Sequence, residues 1–135
     1  MKCIEAVSSL LDCCQTRPRV LDRPQMSDEL AGGLEALFKI LGNRTRLKML
    51  HAIIREGEIS VGHLAEIVNM KPQAVSNQLQ RLLDKGILTA RRSGNNICYQ
   101  ILDACVVALL DYGLCILEAS GELESDSAGN RSRDS

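Results

Sequence analysis

Two groups of residues in this chain have types and spacings suited to chemistry. The first is a set of six cysteines, Cys3, Cys13, Cys14, Cys98, Cys105 and Cys115. Thiolates are soft donors that select thiophilic ions, so Hg, Cd, Pb, As and Zn are the candidate ligands. Cys105 and Cys115 stand ten residues apart, about 15 Å along a helix. One helix therefore cannot close on a single ion with both. A shared site needs Cys105 of one copy beside Cys115 of another, or a thiol from the N-terminal arm, where Cys13 and Cys14 are adjacent and one should dominate. In the competing reading, Cys105 and Cys115 pack as small apolar residues. Cys98 is a core filler or a weak ligand. The two histidines, His51 and His63, serve packing or the surface.

The second group is Gln73, Ser76, Asn77 and Gln80, which share one face of a helix whose other side is Val75, Leu79, Leu82 and Leu83. Exposed helix faces are usually richer in Lys and Glu. Amides and hydroxyls suit base edges in a major groove, where Asn or Gln pairs bidentately with adenine. Lys71, Arg81, Arg91 and Arg92 flank this face as candidate phosphate contacts. Residues 44–96 carry nine basic and four acidic side chains, a local charge of +5 inside a chain of net charge -1. A near-neutral total thus hides a basic middle, the distribution that backbone binding requires.

The elements that must position these groups follow from the apolar spacing. Ser27 caps a helix through Leu30, Leu34, Leu37, Phe38 and Leu41, weakened at Gly32-Gly33. Gly42-Asn43 separates it from a second helix, Arg44 to about Arg55, with Leu47, Leu50, Ile53 and Ile54 inward. Ser60 caps a third, holding Val61, Leu64, Ile67 and Val68. Pro72 suits the first turn of a fourth, which runs to Lys85 and stops at Gly86. Two strand-like runs, 87–91 and 97–102, flank the turn RSGNN. Asp103 opens a last helix to about Ala119, apolar on nearly every side, and a second copy of itself is its natural cover.

Two helices joined by a tight turn and followed by a two-stranded wing make a winged helix-turn-helix. The fold class is mainly α with a small β-hairpin wing, dimerising through the first and last helices. Residues 28–119 form the domain. Residues 1–27 are a cysteine-bearing arm whose apolar spacing over 1–14 suits a short helix. Residues 120–135, polar and poor in apolar groups, read as disordered. Aromatics are only 2% of the chain, so aliphatic side chains must fill the core. The N-terminus lacks an apolar run long enough for a signal peptide, and residues 104–117 are too short to span a bilayer. These features predict a cytoplasmic location without membrane association, where thiols stay reduced.

The runs LFKILGNRTRLKMLHAI, VGHLAEIVNMKPQAVSNQLQRLLDKGIL and ARRSGNNICYQI together resemble the ArsR/SmtB family of metal-responsive repressors, over about residues 30–119. The most specific piece is QAVSNQLQRL. The resemblance implies a homodimer on double-stranded operator DNA, with two recognition helices about 34–36 Å apart, and release when an inducer binds. The family's arsenic and cadmium sensors carry ELCVCDL on the third helix; here Ser60 and Gly62 replace both cysteines. The family's zinc-type site on the last helix is Asp-x-His…His-x-x-Glu. Asp103 with Cys105 and Cys115 with Glu118 match its two halves, with sulfur in place of nitrogen and a gap one residue short. The cysteine-bearing arm and the sulfur-substituted last helix most resemble the mercury-responsive branch.

Two other functions compete. A thiol redox sensor would release DNA on oxidation of Cys13, Cys14 or Cys105. A winged-helix protein-interaction module would not bind DNA. An enzyme is disfavoured, since no nucleophile–base pair, phosphate loop or HExxH motif is found.

Overall fold

The computed structural model describes residues 17–121, so Cys3, Cys13 and Cys14, the helix expected over 1–14 and the disorder expected beyond 121 lie outside the described residues. Five helices and three short strands follow in order: α1 (Asp28–Leu41), α2 (Arg44–Glu56), β1 (Ile59–Ser60), α3 (Val61–Val68), α4 (Pro72–Asp84), β2 (Leu88–Ser93), β3 (Asn96–Ile101) and α5 (Ala104–Ala119). The arm between 17 and 27 is exposed, with one 3-10 turn at Val20–Asp22.

Side-chain caps set most of the helix starts. Ser27 Oγ accepts from Leu30 N at 3.0 Å, and Asn43 Oδ1 from Arg46 N at 3.0 Å. Ser60 Oγ accepts from His63 N at 3.3 Å, and Asp103 Oδ1 from Cys105 N at 2.8 Å. Each satisfies an amide that the helix itself leaves unpaired. Pro72 takes the first turn of α4, where no amide is needed. The break between α1 and α2 demands glycine for a steric reason: a Cβ on Gly42 would lie 2.9 Å from Phe38 O.

α2, α3 and α4 enclose the core. Met49, Leu50, Ile53, Leu64, Val75, Leu79 and Leu82 are fully buried. Leu88 and Tyr99 close it from the wing side. The expected inward set of α2 needs one correction. Leu50 and Ile53 are buried, whereas Leu47 is 38% exposed and Met49 sits at the centre. The inward stripe of α2 is in fact Arg46, Met49, Leu50 and Ile53, one residue round the helix from the expected one.

The sheet is antiparallel, in the order β1-β3-β2. The wing strands run closer to the tip than the sequence indicates, so the turn shrinks from five residues to Gly94-Asn95. Gly94 has φ 66, which only glycine adopts cheaply at the first position of a two-residue hairpin. β1 is absent from the sequence reading. It pairs Ile59 with Tyr99 and Ser60 with Cys98, and two residues are too few to show a period.

Candidate nucleic-acid interface and switch helix

α4 turns its buried stripe to the core and Gln73, Asn77 and Gln80 to solvent, with Ser76 half-buried beside them. The amides already pair along the helix. Gln73 Nε2 donates to Asn77 Oδ1 at 3.3 Å, and Gln80 Nε2 to Asp84 Oδ1 at 2.9 Å. Such exposed i,i+4 pairs are weak and can be exchanged for base edges at small cost. The face is therefore ordered without being committed.

The four candidate cations separate. Lys71, Arg81 and Arg92 are exposed, with no ion pair among the described residues. Arg91 is engaged: its Nε donates to Glu58 Oε2 at 2.6 Å and its second guanidinium nitrogen to Glu58 Oε1 at 2.9 Å. That fork-on-carboxylate geometry is the strongest form of the pair. The hydrogen bond to Glu58 and the attraction of its charge raise the Arg91 pKa above its already high ordinary value. The guanidinium stays charged, but much of its field is cancelled at the base of the wing.

A second cation of the basic middle is withdrawn altogether. Arg46, 9% exposed, lies inside the domain. Its Nε donates to Gln78 Oε1 and its terminal nitrogen to Ile40 O, both at 2.8 Å. Sequence reasoning counted Arg46 only as charge and passed over Gln78. The signal was present, since Arg46 shares the helical spacing of Met49, Leu50 and Ile53.

α5 is a different kind of surface. Only Val106 and Ala108 are buried, while Tyr112, Leu114 and Ile116 are 63%, 49% and 68% exposed. Leu30, Leu34 and Phe38 of α1 are also open. Tyr112, Leu30 and Leu34 line one groove with the arm, so α1 and α5 share a single apolar flank. Cys105 is half-buried and Cys115 exposed, and neither is in a disulfide. Asp103 has one carboxylate oxygen occupied by the cap, and Glu118 is exposed. Among the described residues no three potential ligands gather within one chain. Cys98 is half-buried in β3, opposite Arg91.

This geometry has close relatives. Residues 43–96 match the MarR family, a stretch running from α2 to the wing turn and leaving out α1, nearly all of β3 and α5. The crystal structure of the AntR antimony-specific transcriptional repressor is 50% identical, covering 79% of this chain and 96% of that one with a TM-score of 0.68. The transcriptional repressor SmtB homolog of Synechocystis sp. is 30% identical over 79% of this chain and 76% of its own length. The chain belongs to the ArsR/SmtB family. A further ArsR/SmtB-like structure, fragment 1-100 of Mb0332 from Mycobacterium bovis, is described as a homodimeric winged helix-turn-helix DNA-binding domain and a possible ArsR-family regulator. It is 28% identical, covers 76% of this chain and 98% of that one, and has a TM-score of 0.58. ArsR/SmtB membership makes the chain a DNA-binding transcriptional regulator of a metal-responsive family and not an enzyme. Among the described residues no helix is long and apolar enough to cross a membrane.

Proposed function

We propose that the chain is a homodimeric repressor that holds operator DNA through α4 and the wing and releases it when α5 thiolates capture a thiophilic ion. One observation carries this reading: both described thiols of the last helix sit on an element whose apolar surface, part of a flank shared with α1, a single chain leaves uncovered. Pairing two copies through α1 and α5 covers that surface, in line with the homodimeric relative. An antiparallel crossing of the two α5 helices, at the level midway between residues 105 and 115, would set Cys105 of one protomer level with Cys115 of the other. The same symmetry makes two equivalent half-sites per dimer.

The donor set fits such an ion in part. Each helix offers one thiolate per site, and a third ligand would come from the arm, where Cys13 and Cys14 are the candidates. Soft, low-coordinate ions of the As, Hg, Cd, Pb and Zn group match two or three sulfurs. Similarity to an antimony-specific repressor favours the trivalent metalloids within that class. Gln73, Ser76, Asn77 and Gln80 would read bases, and Lys71, Arg81 and Arg92 would hold phosphates. Arg91 contributes through the wing's shape more than through direct contact. The ion must favour the DNA-free arrangement of the dimer, or binding it would shift nothing.

The test is titration of As(III), Sb(III), Hg(II) and Cd(II) into full-length protein on a duplex selected from random sequence. Thiolate charge-transfer absorbance and DNA release are read together. Cys105→Ser and Cys115→Ser should each abolish both signals while leaving metal-free DNA affinity within about twofold, since neither residue belongs to α4 or to the wing strands. Release by oxidant alone, or unchanged metal binding in both variants, would overturn the reading.

A further inference from the structure

We infer that Arg46 is a positioning residue for sequence reading: it fixes the pose of α4 by clamping Gln78 to the end of α1. This rests on α4 being the reading helix. Three features carry it. The guanidinium is buried, at 9% exposure, and so cannot serve as a phosphate contact. Its two hydrogen bonds, both 2.8 Å, go to different elements: Nε to the Gln78 amide on α4, and the terminal nitrogen to Ile40 O in the last turn of α1. Its own backbone N–H is pinned by Asn43 Oδ1 at 3.0 Å, so the clamp is anchored at the first turn of α2.

The bond to Ile40 has a reason of its own. The last carbonyls of a helix lack partners within it. Phe38 O accepts from Gly42 N and Leu41 O from Asn43 N, leaving Ile40 O to Arg46. A cation at a helix C-terminus is also favoured by the helix dipole. Arg46 is therefore held from the α1 side whether or not α4 is well placed. Gln78 is the movable partner.

Gln78 lies between Asn77 and Gln80 in sequence, but it is half-buried while they are exposed. Fixing its amide fixes the rotation of α4 about its own axis, and with it the direction in which Gln73, Asn77 and Gln80 point. Base readout requires hydrogen-bond geometry to within tenths of an ångström, whereas phosphate attraction tolerates a looser fit. Losing the clamp should therefore cost discrimination between sequences and spare non-specific affinity. Through Ile40, the same clamp links the reading helix to the flank that α1 shares with α5.

The experiment compares wild type, Arg46→Lys, Gln78→Leu and the double variant on a selected operator and on a scrambled duplex, across a salt series. Far-UV circular dichroism and thermal unfolding are recorded for each. Lysine keeps the charge but cannot hold both acceptors in the fork geometry. Each single variant should lower the operator-to-scrambled affinity ratio by about tenfold, the scale of one mismatched base pair. Scrambled-duplex affinity and the salt slope should stay unchanged, and the double variant should lose no more than the worse single one. Losses that multiply in the double variant would assign Gln78 an independent role and overturn the inference. So would an unchanged ratio in Arg46→Lys, or equal losses on both duplexes. If Arg46→Lys unfolds, Gln78→Glu takes its place: it retains an acceptor for Arg46 and should keep a ratio well above that of Gln78→Leu, and an equal loss in the two overturns the clamp. Absence of any sequence preference in wild type would instead count against α4 as the reader.

Discussion

α4 and α5 are helices of similar length with opposite relations to the rest of the chain. α4 has one apolar stripe, and the stripe is finished: Val75, Leu79 and Leu82 are at 0% exposure within a single protomer. α5 is apolar around most of its circumference, yet only Val106 and Ala108 are buried, and Tyr112 and Ile116 are more than 60% exposed. One chain thus completes the helix proposed to read DNA and leaves the helix proposed to sense the ion uncovered. On the proposed reading, an ion that bridges α5 helices would act on that uncovered element and spare the core.

That contrast can be broken by substitution. The largest effect is expected at Leu79→Ala, which leaves a cavity between α2, α3 and α4. Stability should fall by about 2–5 kcal/mol, measured by thermal or urea unfolding. A loss below 1 kcal/mol would mean that α4 is not anchored as described. Ile116→Asp should do the converse. It places a charge on an apolar surface that only a partner covers, so sedimentation should shift towards single chains and operator affinity should drop with it, while circular dichroism stays native. Unchanged association would remove α5 from the interface. The smallest effect sharpens the division among the wing cations. Arg92→Ala should reduce the salt dependence of DNA affinity by about one ion. Arg91→Ala should reduce it by clearly less, because Glu58 already takes up that charge. Equal slopes would return Arg91 to the phosphate contacts.

Most of the fold was legible because its signals are local. Ser27, Asn43, Ser60 and Asp103 are cap residues at the positions where helices begin, and Pro72 and Gly86 bracket α4. The faces of α4 follow from a clean helical period. What was missed depends on partners distant in sequence. β1 exists only because β3 lies beside it. Arg91 looks like a free cation until Glu58, 33 residues earlier, is brought against it. Arg46 entered only as one more positive charge, and Gln78, its partner 32 residues away, drew no notice. The inward stripe of α2 was misplaced because a buried arginine breaks the rule that charge marks the outside. For the cysteines, spacing along one helix showed that a single copy could not complete a site through α5 alone.

β1 has a further consequence for exchanging parts between relatives. The wing sheet takes its third strand from the segment before α3, and Glu58, next to that strand, grips Arg91 in β2. The hairpin is therefore not an independent cassette. A chimera cut between α2 and α3 that imports a foreign α3–α4 unit with its own wing would leave behind the strand and carboxylate that seat the hairpin. Cut points that carry Glu58, Ile59 and Ser60 along with Leu88–Ile101 keep the seat and the seated piece together, and the graft should then keep its donor's groove spacing.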